Sequence, residues 1–326
     1  MEKKIIAVTM GDAAGIGPEV IVKALGDPKV YEICLPLLIC DSKVIEKTIE
    51  SLKSSLSLHP VKSTDAVEGR PGVIDIIDLR NLQGDVIPGR ISADYGRAAM
   101  EYISKAAEIT GSGEVAAMAT APINKESVAR AGYSDTGHMK YLARITGTTE
   151  YAAMLMTGTL RVVHLSDHYS LKDACDLVKR DLICARLKLI RDSFLKWNLG
   201  NPRIGVAALN PHGSDGGLFG NQEENEILPG VDDAKKLGID ASGPFPADSI
   251  FNRAISGEFD VVLAMYHDQG HIAVKVHGFE KSVAVTLGLP FVRTSVDHGT
   301  AFDIAGKGIA DHRSMIEAIS TAVDLS

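Results

Sequence analysis

Apolar and polar positions alternate in blocks along this chain, and the blocks have two characteristic lengths. Short apolar runs end in glycine or polar residues, whereas the longer stretches between them repeat apolar residues at helical spacing. The short runs predict strands at 4–9, 35–40, 115–119, 204–209, 261–265 and 283–286. Uninterrupted apolar strands that alternate with helices are typical of parallel sheets covered by helices, so the pattern predicts an α/β fold.

The longer blocks predict helices, and two runs at 151–157 and 160–164 predict an antiparallel hairpin joined at Gly158. Pro18 suits the first turn of a helix that runs to about residue 25, and Gly147 stops a helix over 139–146. Further helices are predicted over 92–110, 171–197, 223–237 with a break near Pro229, 249–257 and 314–325. Because 326 residues exceed what one core usually supports, we expect two domains without a flexible linker. The first would comprise residues 1–130 plus 275–326, and the second residues 131–274.

Three of the apolar runs stop at a polar segment that contains a histidine. These histidines are His168, His212 and His267, and Asp, Ser, Asn or Gly residues flank each of them. Open α/β sheets build sites at the carboxyl ends of strands, and three imidazoles can hold a divalent metal while leaving positions for a substrate. The sequence therefore predicts a metal site, with three unrelated histidines as the alternative. The remaining late histidines are expected to be packed or ordinary: His164, His271, His277 and His312.

Two glycine-rich segments are further candidates for binding. Residues 11–17 read Gly-x-x-x-Gly-x-Gly, which lacks the spacing of a dinucleotide fingerprint, so a tight turn and an anion-binding turn both stay open. The segment 295–308 is dense in glycine and polar residues, which is typical of a binding loop, and a long surface turn is the alternative. The cations that could receive a phosphate or a carboxylate are Lys125, Lys140, Lys275 and Arg293.

Composition narrows the class of protein. The net charge of −8 argues against a nucleic-acid partner. No apolar stretch approaches about 18 residues and no leader-like segment follows Met1, so we expect no membrane partner and a cytoplasmic location. The four cysteines form no Cys-x-x-Cys pair and are expected to be buried free thiols, namely Cys34, Cys40, Cys175 and Cys184.

Taken together, several segments resemble those of the 4-hydroxythreonine-4-phosphate dehydrogenase family over the whole chain. The matching strings include Ala-Pro-Ile-Asn-Lys at 121–125, Leu-Asn-Pro-His at 209–212, Met-Tyr-His-Asp-Gln-Gly at 265–270 and Thr-Leu-Gly-Leu-Pro-Phe at 286–291. The segment 297–308 also resembles the adenine-side loop of isocitrate and isopropylmalate dehydrogenases. The resemblance implies two α/β/α domains with a cleft between them, the first on the cofactor side and the second on the metal and dimer side.

The same resemblance implies roles for individual residues. A divalent metal ion (zinc, cobalt, magnesium or nickel) would be held at a homodimer interface by His168, His212 and His267. NAD would be held by the loop residues Asp297, His298, Gly299, Thr300 and Asp303. The positions around a phosphorylated small-molecule substrate would be His138, Met139, Lys275 and Arg293. The base that removes a hydroxyl proton stays open among Lys275, Asp248 and Asp268.

Departures from the family's pattern bear on the substrate. Met139 stands in a Gly-His-Met-Lys string where biosynthetic members have Gly-His-Thr-Glu, and Ala284 stands where they carry an asparagine. The loss of a hydroxyl and an amide indicates a different substrate. The Gly-His-Met-Lys string resembles that of the branch that oxidises D-threonate or D-erythronate 4-phosphate. We therefore expect NAD-dependent oxidation and decarboxylation of such an acid to dihydroxyacetone phosphate and CO2. The alternatives are 4-hydroxythreonine 4-phosphate as substrate, in pyridoxal phosphate biosynthesis, and a phosphate acyltransferase-like enzyme.

Overall fold

The structure is a computed structural model that describes residues 3–326, and the chain divides into two compact units. The first unit extends to Thr149 and resumes over Leu289–Ser326, and the second is Glu150–Gly288. Our sequence-based boundaries were 130/131 and 274/275, so the second unit begins and ends later than expected. It begins just before a hairpin and ends just after a strand that pairs with that hairpin, and no change in composition marks either point.

Strands and helices alternate along most of the described chain, which confirms the predicted α/β fold. The strands are β1 (Ile5–Thr9), β2 (Leu35–Cys40), β3 (Ser57–Pro60), β4 (Val73–Asp78), β5 (Ala117–Thr120), β6 (Ala152–Thr157), β7 (Leu160–His164), β8 (Ile204–Ala207), β9 (Ala241–Phe245), β10 (Val261–Ala264), β11 (Val283–Leu287) and β12 (Val292–Val296). The α-helices are α1 (Gly17–Ala24), α2 (Pro28–Ile33), α3 (Ser42–Ser51), α4 (Ala93–Gly111), α5 (Lys125–Arg130), α6 (His138–Thr146), α7 (Leu171–Asp176), α8 (Arg180–Lys196), α9 (Leu228–Lys236), α10 (Ala247–Ile255), α11 (His267–Gly278) and α12 (Arg313–Leu325).

In the first unit the strands are all parallel and follow the order β3-β4-β2-β1-β5-β12. The central strands are buried almost along their whole length, which explains their uninterrupted apolar sequences. The sequence analysis missed β3, β4 and β12 because polar residues interrupt them. The buried Asp75 in β4 is satisfied by His59 Nδ1 at 2.7 Å and by the backbone N–H of Gly69 at 2.8 Å.

In the second unit the strand order is β11-β6-β7-β10-β8-β9. β6 pairs antiparallel with β7 and with β11, so the predicted hairpin is present. The strands from β7 to β9 are parallel to one another. Between Glu223 and Ile227 the chain forms a π-helical turn before α9, so the predicted helix changes geometry at residue 227 and not at Pro229.

Two expectations about local structure need correction. No helix was predicted after the apolar run 261–265, whereas α11 begins at His267, with Asp268 in its first turn where a carboxylate is favourable. Of the four free cysteines, Cys34 and Cys40 are buried, but Cys175 and Cys184 are only half-buried. Within residues 3–326, no helix is both long and apolar enough to cross a membrane.

Candidate active site

Three neighbouring parallel strands of the second unit carry the predicted histidines to one edge of the sheet. β10 lies between β7 and β8 and pairs with both. His168 lies in the loop after β7, His267 is the first residue of α11 after β10, and His212 lies in a turn after β8. Because parallel strands end at the same edge, this is where an open α/β sheet builds a site.

The imidazole rings of His168 and His267 face each other across a short gap. Their centroids are 5.3 Å apart and their planes are inclined by 47°. Two imidazoles that bind one ion at about 2.1 Å from each nitrogen, with a tetrahedral angle between them, have centroids about 5 Å apart. The observed separation therefore fits a shared divalent metal ion. Both residues line a cavity of about 240 Å³, which gives room for part of a small substrate.

Asp268 fixes the orientation of the His267 ring. Its carboxylate Oδ1 lies 2.7 Å from His267 Nδ1. When Nδ1 donates this hydrogen bond, Nε2 is the nitrogen that can bind a metal, and the carboxylate makes the imidazole a stronger ligand. Of the three candidate bases, Asp268 therefore has another role, which is to orient a candidate metal ligand.

Two further histidines lie behind this pair. The ring of His271, one turn along α11, stacks on His267 with centroids 3.6 Å apart and planes inclined by 15°. His164 stacks on His271 at 4.7 Å and is 1% exposed. Lone pairs of nearly parallel stacked rings do not converge, so His271 supports His267 and does not share an ion with it. The sequence analysis missed this relation because it predicted no helix that begins at His267.

Gly270 allows α11 to lie close to His164. A Cβ atom at position 270 would lie 2.4 Å from His164 Nε2, which is closer than side chains approach. Burial lowers the pKa of His164 to about 3, so its ring is neutral at physiological pH. Neither ring nitrogen of His164 has a hydrogen-bond partner among the described residues. His164 is therefore a packed histidine, as its position in an apolar strand implied.

The turn that carries His212 is strained and is held by a buried carboxylate. His212 and the next two residues, Gly213 and Ser214, all have positive φ, a region that favours glycine. Glu223 is buried and accepts hydrogen bonds from the backbone N–H groups of Leu209 and Asn210 at 2.9 and 2.7 Å. This turn does not bring His212 to the other two histidines. In the part of the chain that the structure describes, no group of three or more His, Cys, Asp or Glu side chains is arranged to hold a metal.

Gln269 connects the ends of the two strands that precede His212 and His267. Its Oε1 accepts a hydrogen bond from the backbone N–H of Met265 at 2.7 Å, and its Nε2 donates to the carbonyl of Ala208 at 2.8 Å. The side chain thus fixes the exit of β10 relative to the exit of β8. No local sequence pattern indicates that this amide joins two backbone groups, because Met265 and Ala208 are far apart in the chain.

The other two candidate bases lie elsewhere in the second unit. Lys275 on α11 is half-buried, donates a hydrogen bond to the Ser282 hydroxyl at 3.1 Å, and lies 4.8 Å from the centre of the Phe279 ring. Asp248 is exposed in the first turn of α10. Ala284 lies in β11 opposite Leu155 and packs against the apolar core of the unit. This position therefore offers no polar group to a substrate.

A second candidate site lies in the first unit, around Arg293 and His138. Arg293 in β12 is 4% exposed, and its Nε and Nη2 donate to the Thr120 hydroxyl at 3.1 and 2.6 Å. Burial lowers the pKa of Arg293 to about 9. His138 is the first residue of α6, and burial together with the Arg293 charge holds its pKa well below the ordinary value. Its Nε2 is buried without a hydrogen-bond partner among the described residues.

These features suit an anionic ligand such as a phosphate group. A buried guanidinium and the uncapped N-terminus of α6 both favour negative charge, and the unsatisfied His138 Nε2 can donate to a phosphate oxygen when it carries the proton. Met139 and Lys140 follow in the first turn of α6, half-buried and exposed respectively. The predicted substrate positions His138, Met139 and Arg293 thus lie in the first unit, whereas Lys275 lies in the second.

The glycine-rich turn at 11–17 supports the loop that follows β12. The N–H of Ile16 donates to the carbonyl of Thr300 at 3.0 Å, and a Cβ at Gly15 would lie 2.9 Å from the Thr300 side chain. The N–H of Ala14 donates to the Asp12 carboxylate at 2.8 Å. These amides are engaged by the chain itself, which favours a structural turn over an anion-binding turn.

Glu19 and Lys23 of α1 hold the far end of the same loop. Glu19 is buried, and its carboxylate accepts from the backbone N–H groups of Gly308 and Ala310 at 3.1 and 2.6 Å. The Lys23 ammonium bridges Glu19 Oε1 and the carbonyls of those two residues, all within 2.9 Å. The segment 297–308 is therefore anchored at both ends.

The predicted cofactor residues are distributed along this anchored loop. Gly299 and Asp303 are exposed and Asp297 is half-buried, while Thr300 is buried against the glycine-rich turn. His298 Nδ1 lies 3.0 Å from the carbonyl of Gly299, and its Nε2 is buried without a hydrogen-bond partner in residues 3–326. A polar ring atom in that state fits a ligand that hydrogen-bonds to it, as the ribose or phosphates of a dinucleotide would.

Comparison with known proteins places these sites in a family context. The family profile described as pyridoxal phosphate biosynthetic protein PdxA matches residues 32–322. The chain is 44% identical over 323 residues to D-threonate 4-phosphate dehydrogenase of Cupriavidus necator, covering 99% of this chain and 97% of the relative.

Solved structures give the same family and the same fold. A crystal structure of a 4-hydroxythreonine-4-phosphate dehydrogenase from Burkholderia phymatum has a TM-score of 0.90 and 43% identity, over 100% of this chain and 99% of the other. A second one, from Klebsiella pneumoniae, has a TM-score of 0.92 and 38% identity, over 99% of both chains. The sequence resemblance is therefore confirmed over the full length.

Proposed function

Because the chain belongs to the family of the pyridoxal phosphate biosynthetic protein PdxA, we propose that it is a NAD- and metal-dependent dehydrogenase acting on D-threonate 4-phosphate or D-erythronate 4-phosphate. The products are dihydroxyacetone phosphate, CO2 and NADH. One observation carries the choice of substrate, namely the 44% identity over almost the whole chain to a D-threonate 4-phosphate dehydrogenase. Met139 and Ala284 support it, since neither offers the hydroxyl or amide that biosynthetic members carry at those positions.

The chain's own residues hold and orient the reactants. When bound, NAD would supply the acceptor for the hydride that leaves C3 of the substrate, and a divalent ion would supply Lewis acidity for the oxidation and for the loss of CO2. His168 and His267 would hold the ion, and the hydrogen bond of Asp268 to His267 Nδ1 would leave His267 Nε2 free to bind it. Arg293 and His138 hold the phosphate, which fixes the position of the reacting carbon atoms.

The proton of the 3-hydroxyl group is removed by Asp248 or Lys275, the two candidates whose side chains do not orient a metal ligand. The two assignments predict different pH profiles. If Asp248 is the base, Asp248→Asn abolishes the acidic limb of the kcat profile, while Lys275→Met raises the KM for substrate and leaves that limb in place. The reverse pattern assigns the base to Lys275.

The enzyme is a homodimer, and the second copy completes the metal site. Support comes from an exposed apolar stripe formed by Ile272 and Val276 of α11 and by Phe279 in the turn that follows, which are 61, 83 and 69% exposed. They follow His267 in the chain, and exposed apolar side chains of this size mark protein–protein contacts. His212 lies outside the His168–His267 pair, so His212 of a second copy is the third ligand.

A substrate comparison tests the proposed reaction. D-threonate 4-phosphate, D-erythronate 4-phosphate and 4-hydroxythreonine 4-phosphate are offered with NAD and Zn²⁺, Co²⁺, Ni²⁺ or Mg²⁺, and kcat/KM is measured from NADH absorbance. We expect at least a 100-fold preference for one of the two hydroxy acids, because one lost hydrogen-bond partner is worth that order of discrimination. The similarity to two solved 4-hydroxythreonine-4-phosphate dehydrogenases favours 4-hydroxythreonine 4-phosphate as a second candidate. A preference for that amino acid would reject our choice of substrate.

A further inference from the structure

The turn that carries His212 is unusual in its handedness. Six consecutive residues, 212–217, have positive φ angles between 46° and 96°. Left-handed backbone normally occurs at single glycines, because the Cβ atom of any other residue comes too close to the following carbonyl oxygen. Three of the six residues are not glycine, namely His212, Ser214 and Asp215. Such a run keeps its shape only where contacts with the rest of the fold determine it, and strained backbone of this kind is concentrated in functional sites.

Hydrogen bonds inside the turn secure its second half. The N–H of Gly217 donates to the carbonyl of Ser214 at 3.1 Å, and the Ser214 side chain is buried. In the first half, the N–H of Gly213 reaches the carbonyl of Asn210 at the longer distance of 3.3 Å, and His212 is exposed. The half that carries His212 therefore depends on contacts from outside the turn.

Glu223 supplies those contacts from a buried position. It is 4% exposed, and its Oε1 accepts from the backbone N–H groups of Leu209 and Asn210 at 2.9 and 2.7 Å. Its Oε2 accepts from Asn210 Nδ2 at 2.8 Å, and the same amide nitrogen donates to Gln222 Oε1 at 2.8 Å. One carboxylate thus binds the two residues that lead into the turn, and hydrogen bonds to a charged acceptor are the strong ones.

The backbone that carries Glu223 is fixed as well. Glu223 is the first residue of the π-helical turn, and its carbonyl accepts from the N–H of Leu228, the first residue of α9. Single π-helical turns are frequent at functional sites. α9 packs closely on α8, since a Cβ at Gly230 would lie 2.9 Å from both the Arg180 carbonyl and the Ile183 side chain. The carboxylate is therefore anchored on packed helices and not on a surface loop.

We propose that Glu223 is a positioning residue that pre-forms the left-handed turn, so that His212 is presented in a fixed orientation to the metal site of a second copy of the chain. The inference rests on the proposed function, which makes His212 the third metal ligand across a dimer. A ligand that is ordered before the ion arrives removes the cost of ordering it from the binding free energy. In this account Glu223 touches neither metal nor substrate and acts only through His212 of its own chain.

Titration with Co²⁺, followed by its visible absorption, measures this role without turnover. Glu223→Gln keeps the size of the side chain but turns one acceptor oxygen into a donor, and we expect the Kd for Co²⁺ to rise about 10- to 100-fold. Asn210→Ala removes only the side-chain arm of the cluster, and its Kd should rise about fivefold, the usual worth of one neutral hydrogen bond. Glu224→Gln makes the matched change at an exposed neighbouring carboxylate and should stay within about twofold.

Mixed dimers separate positioning from a general loss of stability. After joint refolding, Glu223→Gln with His168→Ala leaves one intact site in each mixed dimer, because the altered Glu223 affects only His212 of its own chain. Glu223→Gln with His212→Ala leaves none, because both chains then lack a correctly placed His212. At a Co²⁺ concentration that fills only intact sites, the first mixture should bind about a quarter of the Co²⁺ bound by the unaltered enzyme, and the second almost none.

Unchanged Co²⁺ affinity of the Glu223→Gln enzyme would overturn the inference. Equal Co²⁺ binding by the two mixtures would overturn it too, since a residue that merely stabilises the fold lowers binding equally in both. Either result leaves the proposed function intact when the unaltered enzyme binds Co²⁺ and His168→Ala mixed with His212→Ala regains a site. Absence of Co²⁺ binding by the unaltered enzyme, or no regained site in that mixture, would instead reject the metal site of the proposed function.

Discussion

The two candidate sites differ in how far a single chain encloses them. At the site in the first unit, Arg293 is 4% exposed and His138 Nε2 is buried. By contrast, His168 is exposed, the side chain of His267 is 33% exposed, and the apolar stripe follows on α11 and in the turn after it. Donors that are buried before the ligand arrives are pre-organised for it. Exposed candidate ligands beside an apolar surface fit the proposed metal site, which a second copy of the chain would complete.

The largest expected effect is at the enclosed site. Arg293→Met removes the cation that we propose to hold the phosphate but keeps much of the apolar volume. We expect kcat/KM to fall about 10³-fold or more, which corresponds to about 4 kcal/mol, with only a small change in melting temperature. The matched control is Arg130→Met, since Arg130 is an exposed arginine paired with Glu126. Arg293→Met enzyme with more than a tenth of the original kcat/KM would show that Arg293 does not bind substrate.

The first unit, which contains the site around Arg293, also contains a buried carboxyl group whose negative charge destabilises the fold. Burial raises the pKa of Asp12 from 3.8 to about 6. Because the folded state holds the proton more tightly, stability from this group is present below pH 4 and is lost as pH rises to about 6. A shift of this size is worth about 3 kcal/mol.

Asp12→Asn should remove that pH dependence while keeping an oxygen that accepts from the Ala14 N–H. Urea unfolding at pH 4 and pH 7.5 measures it. From pH 4 to pH 7.5, the unfolding free energy of the variant relative to that of the original protein should rise by about 2 to 3 kcal/mol. An equal difference in unfolding free energy at both pH values would mean that Asp12 ionises normally in the fold.

At the open site, the expected effect of a supporting residue is smaller. Asp268→Asn keeps the shape of the side chain but weakens its hold on His267 Nδ1. We expect metal affinity to fall about 10- to 100-fold, as is usual when the carboxylate partner of a metal-binding histidine is lost. Titration with Co²⁺, followed by its visible absorption, measures the affinity without turnover. Asp176→Asn, which alters an exposed carboxylate on α7, is the control; equal affinities in the two variants would remove the positioning role from Asp268.

Much of the fold could be predicted from sequence, because buried parallel strands have uninterrupted apolar sequences. β1, β2 and β10 lie within one residue of their predicted ends. β4 could not be found in this way, because its Asp75 reads as a surface residue until its distant backbone partners are known.

The same distinction holds for the candidate sites, where local patterns reveal some residues and distant contacts define others. His168, His212 and His267 stood out because each follows an apolar run, whereas the roles of Gln269 and Glu19 depend on hydrogen bonds to segments up to 291 positions away in the chain. No local pattern encodes such contacts. The stacking of His271 on His267 was within reach, since the two are four residues apart, but only once α11 is known to start at His267.

The most direct test of the shared metal site is the mixing of inactive variants. His168→Ala and His212→Ala enzymes are each inactive by this account, and mixed dimers of the two contain one intact site if His212 acts across the interface. After unfolding and joint refolding, a 1:1 mixture should recover about a quarter of the original activity, whereas a mixture of His168→Ala with His267→Ala should recover none. Absence of activity in the first mixture, with mixed dimers shown to form, would contradict a metal site shared between two chains.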